Sequence, residues 1–172
     1  MSARHRLCFV EVSIDDPLAA PLLGELAREY ADRYGGAVGD HHSWLRDYPA
    51  AEFAAPDGGM LLGLLHGCPV TGGGFRRYDD VTAELKRIWT DSGHRRRGYA
   101  TALLAALEDV IAARGYRRIW LVTGHRQPEA EALYESAGYA RADDSDLIAR
   151  GITYLRPFEK SLPEDARRQD AR

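Results

Sequence analysis

Arg95, Arg96, Arg97 and Gly98 form a basic, glycine-ended joint between two segments of different period. Before it, Ala83 to Thr90 has strand composition and ends on Ile88, Trp89 and Thr90, after which Asp91, Ser92 and Gly93 break it. After it, apolar residues recur at Ala100, Leu103, Leu104, Leu107, Val110 and Ile111, the spacing of a helix with one buried face. Gly115 stops that helix. A helix N-terminus has unbonded backbone N–H groups and the positive end of the macrodipole. Gly98 lets backbone approach a bulky group, and the arginines add charge. The chemistry is that of an anion site, and a phosphate ester is the ligand it suits.

The run Arg95-Arg96-Arg97-Gly98-Tyr99-Ala100 resembles the R/Q-x-x-G-x-G/A signature with which GCN5-related N-acetyltransferases (the GNAT family) hold the pyrophosphate of acetyl-CoA. Its context is similar too. Glu84 stands eleven residues before Arg95 on the preceding strand, and a strand from Arg118 to Thr123 follows the helix. Gly124 to Tyr139 resembles the family's second cofactor segment, with its tyrosine at Tyr134, and Pro157 to Leu162 resembles a last strand. The resemblance is specific from Ala83 to Tyr139 and looser elsewhere.

It implies an α/β (α+β) GNAT fold: a mixed, mostly antiparallel central sheet of about seven strands, flanked by about four helices, with a central βαβ cofactor unit. It implies acetyl-CoA as cosubstrate. Arg95, Arg96, Arg97, Gly98, Tyr99, Ala100 and Thr101 would then surround the pyrophosphate. Ile88, Trp89 and Thr90 would run beside the pantetheine arm, across from Val122 and Thr123, with the Ile88 N–H as oxyanion donor. Gln127 stands where many members carry an asparagine that bonds that arm.

An attacking amine must be neutral, and keeping a lysine-like amine of pKa ~10.4 neutral at pH 7 costs roughly 4–5 kcal/mol. A positioned carboxylate can take the proton. The resemblance gives that role to Glu84, with Asp79, Asp80 and His41 as substitutes. The residues alone also allow an ordinary ion pair with Lys86, two positions along the same face. A departing thiolate needs a proton, which the resemblance assigns to Tyr134; helical spacing from Ala130 equally makes Tyr134 a core residue.

The whole chain agrees with an enzyme of this size. Its 172 residues carry 45% hydrophobic and 28% charged side chains and a net charge of −3, with no general attraction for nucleic acid or membranes. One domain over 1–162 is expected, with a disordered tail over 163–172. Met1 to His5 leads into no signal-type apolar core. Cys8 and Cys68 lack CxxC spacing and read as buried free thiols in a reducing cytoplasm.

Leu7 to Val12 reads as a strand, and a helix follows with Leu18, Leu22, Leu23, Leu26, Ala27, Tyr30 and Tyr34 on its buried stripe. Ala37 to Asp57 reads as an irregular loop. His41 and His42 there are no metal site, and Trp44, Tyr48 and Phe53 plug the core edge rather than line a pocket. Gly59–His66 and Val70–Tyr78 make a hairpin whose Gly72-Gly73-Gly74 marks a bulge or close approach. Ala142 to Gly151 reads as a polar loop. The glycine-rich hairpin and final strand suggest a homodimer by strand pairing.

The expected function is acetyl transfer to a primary amine of a small molecule, in a ternary complex. The acidic loops suggest a cationic acceptor. The alternatives are a protein or peptide N-acetyltransferase and a catalytically silent acetyl-CoA sensor.

Overall fold

Alternation along single strands assigns the two faces of the sheet. The structure, a computed structural model, describes residues 7–47 and 50–163. Among these, seven strands form one sheet: β1 (Cys8–Glu11), β2 (Gly59–Leu65), β3 (Cys68–Arg77), β4 (Thr82–Thr90), β5 (Arg118–Gly124), β6 (Ala140–Arg141) and β7 (Leu155–Ser161), in the order β1-β2-β3-β4-β5-β7-β6. Five helices accompany them: α1 (Ala20–Tyr34), α2 (Val38–Asp47), α3 (Tyr99–Ala113), α4 (Pro128–Ser136) and α5 (Ser145–Ala149). Met60 and Leu62 of β2 point to a core made with Leu22, Leu23 and Leu26 of α1 and Leu45 of α2. Leu61 between them points the other way, to a core with Leu103, Leu104, Leu107 and Ile111 of α3 and Tyr134 of α4. The helical stripes read from sequence bury these same leucines; Leu18 and Tyr34 lie partly exposed at the stripe's ends.

Every strand pair is antiparallel except β4 with β5, the two strands joined through α3. That parallel pairing covers only Thr82–Arg118, Ala83–Ile119 and Glu84–Trp120. Beyond Glu84 the strands separate and a cleft opens in the middle of the sheet. On its other edge β4 keeps pairing with β3, but the register slips between Gly72 and Gly74, where Gly72 faces Trp89 and Gly74 faces Lys86. The extra residue is a bulge at Arg87, whose φ is +59°. The bulge reverses alternation, so Leu85 and Ile88 both pack on the α3 core while Trp89 turns to the α1 core. Gly73 makes room for this: a Cβ there would sit 2.5 Å from Ile88 Cδ1.

Four readings of the sequence change. The stretch taken as an irregular loop contains α2 and a 3₁₀ turn at Ala50–Phe53, because Leu45 and Phe53 each bury an apolar side chain in the α1 core. Ala142–Gly151 contains α5. Cys8 and Cys68 are free but exposed, since each lies at the end of a strand rather than inside it. The strands named for dimer pairing, β2, β3 and β7, each have neighbours on both sides, leaving β1 and β6 as the sheet edges. Tyr48 and residues 164–172 of the expected tail lie outside the described residues. No helix among the described residues is long and apolar enough to cross a membrane.

Two buried tyrosines, Tyr134 and Tyr139, and the partly buried Tyr30 hold their protons more tightly than usual. Burial pushes Tyr30 up to about 12 and also raises Tyr134 and Tyr139, the last helped by the Glu108 carboxylate. Unfolded tyrosines titrate near 10, so the stability these neutral phenols contribute is complete below that pH and lost as pH rises through the folded values. Urea unfolding at pH 9, 10, 11 and 11.5 is expected to show stability falling beyond pH 10 by about 1.4 kcal/mol per pH unit for each tyrosine that remains protonated in the folded state. A flat profile would contradict the burial assigned to them.

Candidate active site

The basic joint folds as a chain of small turns. Asp91 ends β4 and its carboxylate accepts from Gly93 N at 3.0 Å and lies 2.5 Å from His94 Nδ1, which holds that carboxyl below its usual range. Arg96 at φ +61° and Gly98 at φ +80° take left-handed conformations, and Gly98 precedes the first turn of α3 without a side-chain cap. The N–H groups of Tyr99, Ala100 and Thr101 at that turn have no helical carbonyl to bond and face a ligand-sized space. That space is a cavity of about 330 Å³ between the ends of β4, α3 and α4. All the site residues expected from sequence line it except Glu84 and Arg97: Ile88, Trp89, Thr90, Arg95, Arg96, Gly98, Tyr99, Ala100, Thr101, Gln127 and Tyr134.

Helix α1 braces this cavity from one side. Glu25 accepts from Trp89 Nε1 at 2.9 Å, from Ser92 N at 3.1 Å and from Ser92 Oγ at 3.2 Å. One turn on, Glu29 pairs with Arg95 at 3.1 Å and with Arg33 at 2.9 Å. Arg33 also bonds Glu129 of α4 and donates to the Arg126 carbonyl at 2.6 Å. Tyr34 Oη accepts from Gln127 Nε2 at 3.2 Å. One helix thus fixes both the phosphate-type loop and the start of α4. These carboxylates were missed in the sequence, although Glu25, Glu29 and Arg33 recur every four residues on one face.

A second cavity, about 560 Å³, lies behind the first and shares Ile88, Gln127 and Tyr134 with it. Tyr30, Tyr34, His41, Trp44, Phe53 and Tyr154 supply aromatic walls; Phe53 packs in the α1 core and lines the pocket as well, whereas Trp44, 56% exposed, lines the pocket instead of plugging the core edge as the sequence suggested. Tyr134 is 7% exposed, and its ring meets Tyr139 and Phe158 at centroid distances of 5.7 and 5.9 Å. No group among the described residues hydrogen-bonds its hydroxyl, which burial keeps protonated at neutral pH.

Glu84 is held apart from both cavities. Its carboxylate bonds Arg76 Nε at 2.8 Å and Lys86 Nζ at 2.9 Å, so the ion pair open to it in the sequence is present. Its partner Lys86 lines the second cavity, whereas Glu84 lines neither. His41 Nε2 lies 2.7 Å from the Gly35 carbonyl on the cavity wall. Asp79 caps Val81 N and Asp80 pairs with Arg77, neither of them on a cavity wall. Among the described residues no three His, Cys, Asp or Glu side chains gather as metal ligands. Replacing Glu25 by Ala strands the buried Trp89 N–H, and is expected to cost about 1–3 kcal/mol in urea unfolding followed by tryptophan fluorescence. An unchanged midpoint would mean that α1 does not brace the loop.

Comparison with known proteins fits this geometry. Human N-acetyltransferase 8 is 31% identical over 108 residues, which cover 60% of this chain and 44% of that protein, so the match spans less than half of the curated relative's length. An acetyltransferase of the GNAT family from Staphylococcus aureus has a TM-score of 0.72 at 18% identity, with 91% of this chain and 100% of that one covered. The paia N-acetyltransferase of Thermoplasma acidophilum, solved in complex with coenzyme A, has a TM-score of 0.68 at 19% identity, covering 94% and 99%. At such identities the structures speak for the fold alone. The sequence profile of the Acetyltransferase (GNAT) family matches residues 23–139, more than half of the chain. The chain belongs to the GNAT acetyltransferase family.

Proposed function

We propose that this protein is an acetyl-CoA-dependent N-acetyltransferase that acts on a primary amine of a small molecule, in a ternary complex. The observation that carries the reading is the pair of cavities that meet at Ile88, Gln127 and Tyr134. One is edged by the anion-binding turn of α3, and the other is a walled, largely aromatic space of a size suited to a small molecule. The residues present fit the cosubstrate. Free N–H groups at Tyr99 to Thr101, with Arg95 and Arg96 beside them, suit a pyrophosphate, and the open edge of β4 beyond Glu84 suits an amide-rich arm.

Acetyl-CoA supplies the acetyl group as a thioester. The amine nitrogen forms the new C–N bond, the C–S bond breaks, and the amine proton and the thiolate must each be served. The Ile88 N–H, at the junction of the cavities, is the proposed donor to the developing oxyanion, a contact worth about 3–4 kcal/mol in comparable sites. The buried Tyr134 hydroxyl, protonated and with no hydrogen-bond partner among the described residues, is the proposed donor to the leaving sulfur. Glu84 is the proposed base, and because it lines neither cavity it acts through water. Gln127 is tied to Tyr34 and Thr123, and shapes the junction in place of an asparagine. The exposed thiols of Cys8 and Cys68 suit a reducing cytoplasm, and a strand-paired homodimer would have to use the β1 or β6 edge.

The test joins binding to turnover. Acetyl-CoA at about a hundred times its Kd should stabilise the protein by roughly 2.7 kcal/mol in thermal unfolding, whereas ATP and NAD should not. Thiol release over an amine panel should then appear, and Tyr134→Phe should lower kcat by about 10²–10³ with little change in the KM for acetyl-CoA. No stabilisation by acetyl-CoA, or full activity in Tyr134→Phe, would reject the reading or the role respectively.

A further inference from the structure

The second cavity and the first suit different chemistry. Glu29 and Glu129 line the first, but among the described residues no Asp or Glu lines the second. The acidic positions that suggested a cationic acceptor, such as Asp40 and Asp47 on α2, lie off its walls. Lys86 and Arg87 on its wall are already engaged within the chain: Lys86 bonds Glu84 at 2.9 Å, and the Arg87 guanidinium lies over the Phe53 ring at 4.7 Å. A chain of ammonium groups would give up its water there with no carboxylate to replace it, and burying unpaired charge is strongly unfavourable.

What is left to recognise an acceptor is ring surface. Tyr30 and Tyr34 of α1, Trp44 of α2 and Tyr154 just before β7 reach the cavity from three parts of the chain. Tyr30 meets Tyr34 and His41 edge to face, each at a centroid distance of 6.2 Å. Tyr34 is fixed twice more: its Oη fills the place a Cβ would take at Gly124, and it accepts from Gln127 Nε2 at 3.2 Å. The backbone carbonyl of Tyr154 accepts from His125 N at 2.8 Å. Among the described residues Tyr34, Trp44, Tyr78 and Tyr154 are the exposed tyrosines and tryptophans, and all but Tyr78 line this cavity. Single exposed rings are ordinary on a surface, whereas three around one hollow make an apolar patch that marks a binding site. A flat aromatic group entering between them buries its own area and theirs, with the offset and edge contacts that rings favour.

We infer that the acceptor is an arylalkylamine: a primary amine joined by a short apolar link to a flat aromatic group, with no second cation. That the amine is acetylated rests on the N-acetyltransferase reading; the aromatic preference of the cavity does not. The arrangement also sets a direction. Ile88, Gln127 and Tyr134 lie where the two cavities meet, so the nitrogen belongs there and the ring lies toward Tyr30, Trp44 and Tyr154.

The test is a calorimetric titration, with coenzyme A present, of tryptamine, phenethylamine, butylamine and spermidine. The two aromatic amines are expected to bind at least tenfold more tightly than butylamine and spermidine. Trp44→Ala and Tyr154→Ala each remove an exposed ring, and each should weaken the aromatic amines by about three- to tenfold and so narrow that gap. Melting curves check that each variant folds, and the wild-type panel decides the matter even where one does not. Butylamine or spermidine binding as tightly as the aromatic amines, or no amine binding at all, overturns the inference, as do two folded variants that keep the full gap. Thiol release from acetyl-CoA on the same panel separates the two readings. An aromatic preference without thiol release would remove the transferase reading and leave the aromatic pocket, whereas release with spermidine and no aromatic preference would do the reverse.

Discussion

The constraint on which the rest depends is the early separation of β4 from β5. Two parallel strands in the middle of a sheet normally satisfy each other's backbone groups along their whole length. Here they do so over three residue pairs and then part, which leaves polar backbone on both sides of a cleft. A protein keeps such an opening only when the remaining contacts hold the strands rigidly, and here they do. β3 holds one side of the cleft along β4, and β7 pairs with all seven residues of β5 on the other. The cleft is thus a fixed feature of the sheet, ready for an extended ligand with its own amide groups.

Two further devices turn the opening into a site. The bulge at Arg87 re-phases β4, which sends Ile88 to one core and Trp89 to the other. The α1 brace then fixes the ends. Glu25 reaches Trp89 and Ser92, Glu29 reaches Arg95, and Arg33 reaches α4. Partly exposed ion pairs are individually worth little, but several from one helix restrict the loop and α4 to one relative placement. The α1 core of leucines anchors the brace, so the geometry of the anion loop is linked to packing on the far side of the sheet.

Much of this was legible in the sequence because it is local. The period change at Gly98, the i, i+4 leucines of α3 and the turn residues at Asp91 to Gly93 each have a local cause, and the central βαβ unit followed from them. What was not legible depends on contacts distant along the chain. α2 is a polar, weakly periodic stretch that becomes helical through Leu45 packing on α1. The register slip at Gly72–Gly74 depends on β4 as its partner, although the three glycines marked the place. Glu84 was identified, but its engagement by Arg76 depends on the β3 register, eight residues away in the chain. The charge of the second cavity could not be read from composition: the chain is net negative, yet among the described residues no Asp or Glu lines that cavity.

The central claim is that the β4–β5 cleft and the turn entering α3 together hold coenzyme A. Hydrogen–deuterium exchange on the whole protein, with and without coenzyme A, tests it most directly. Protection should concentrate on the amides of Ile88 to Thr90 and of Arg96 to Thr101, with α2 and β1 unchanged. Protection confined to other segments, or none at saturating coenzyme A, would contradict the account.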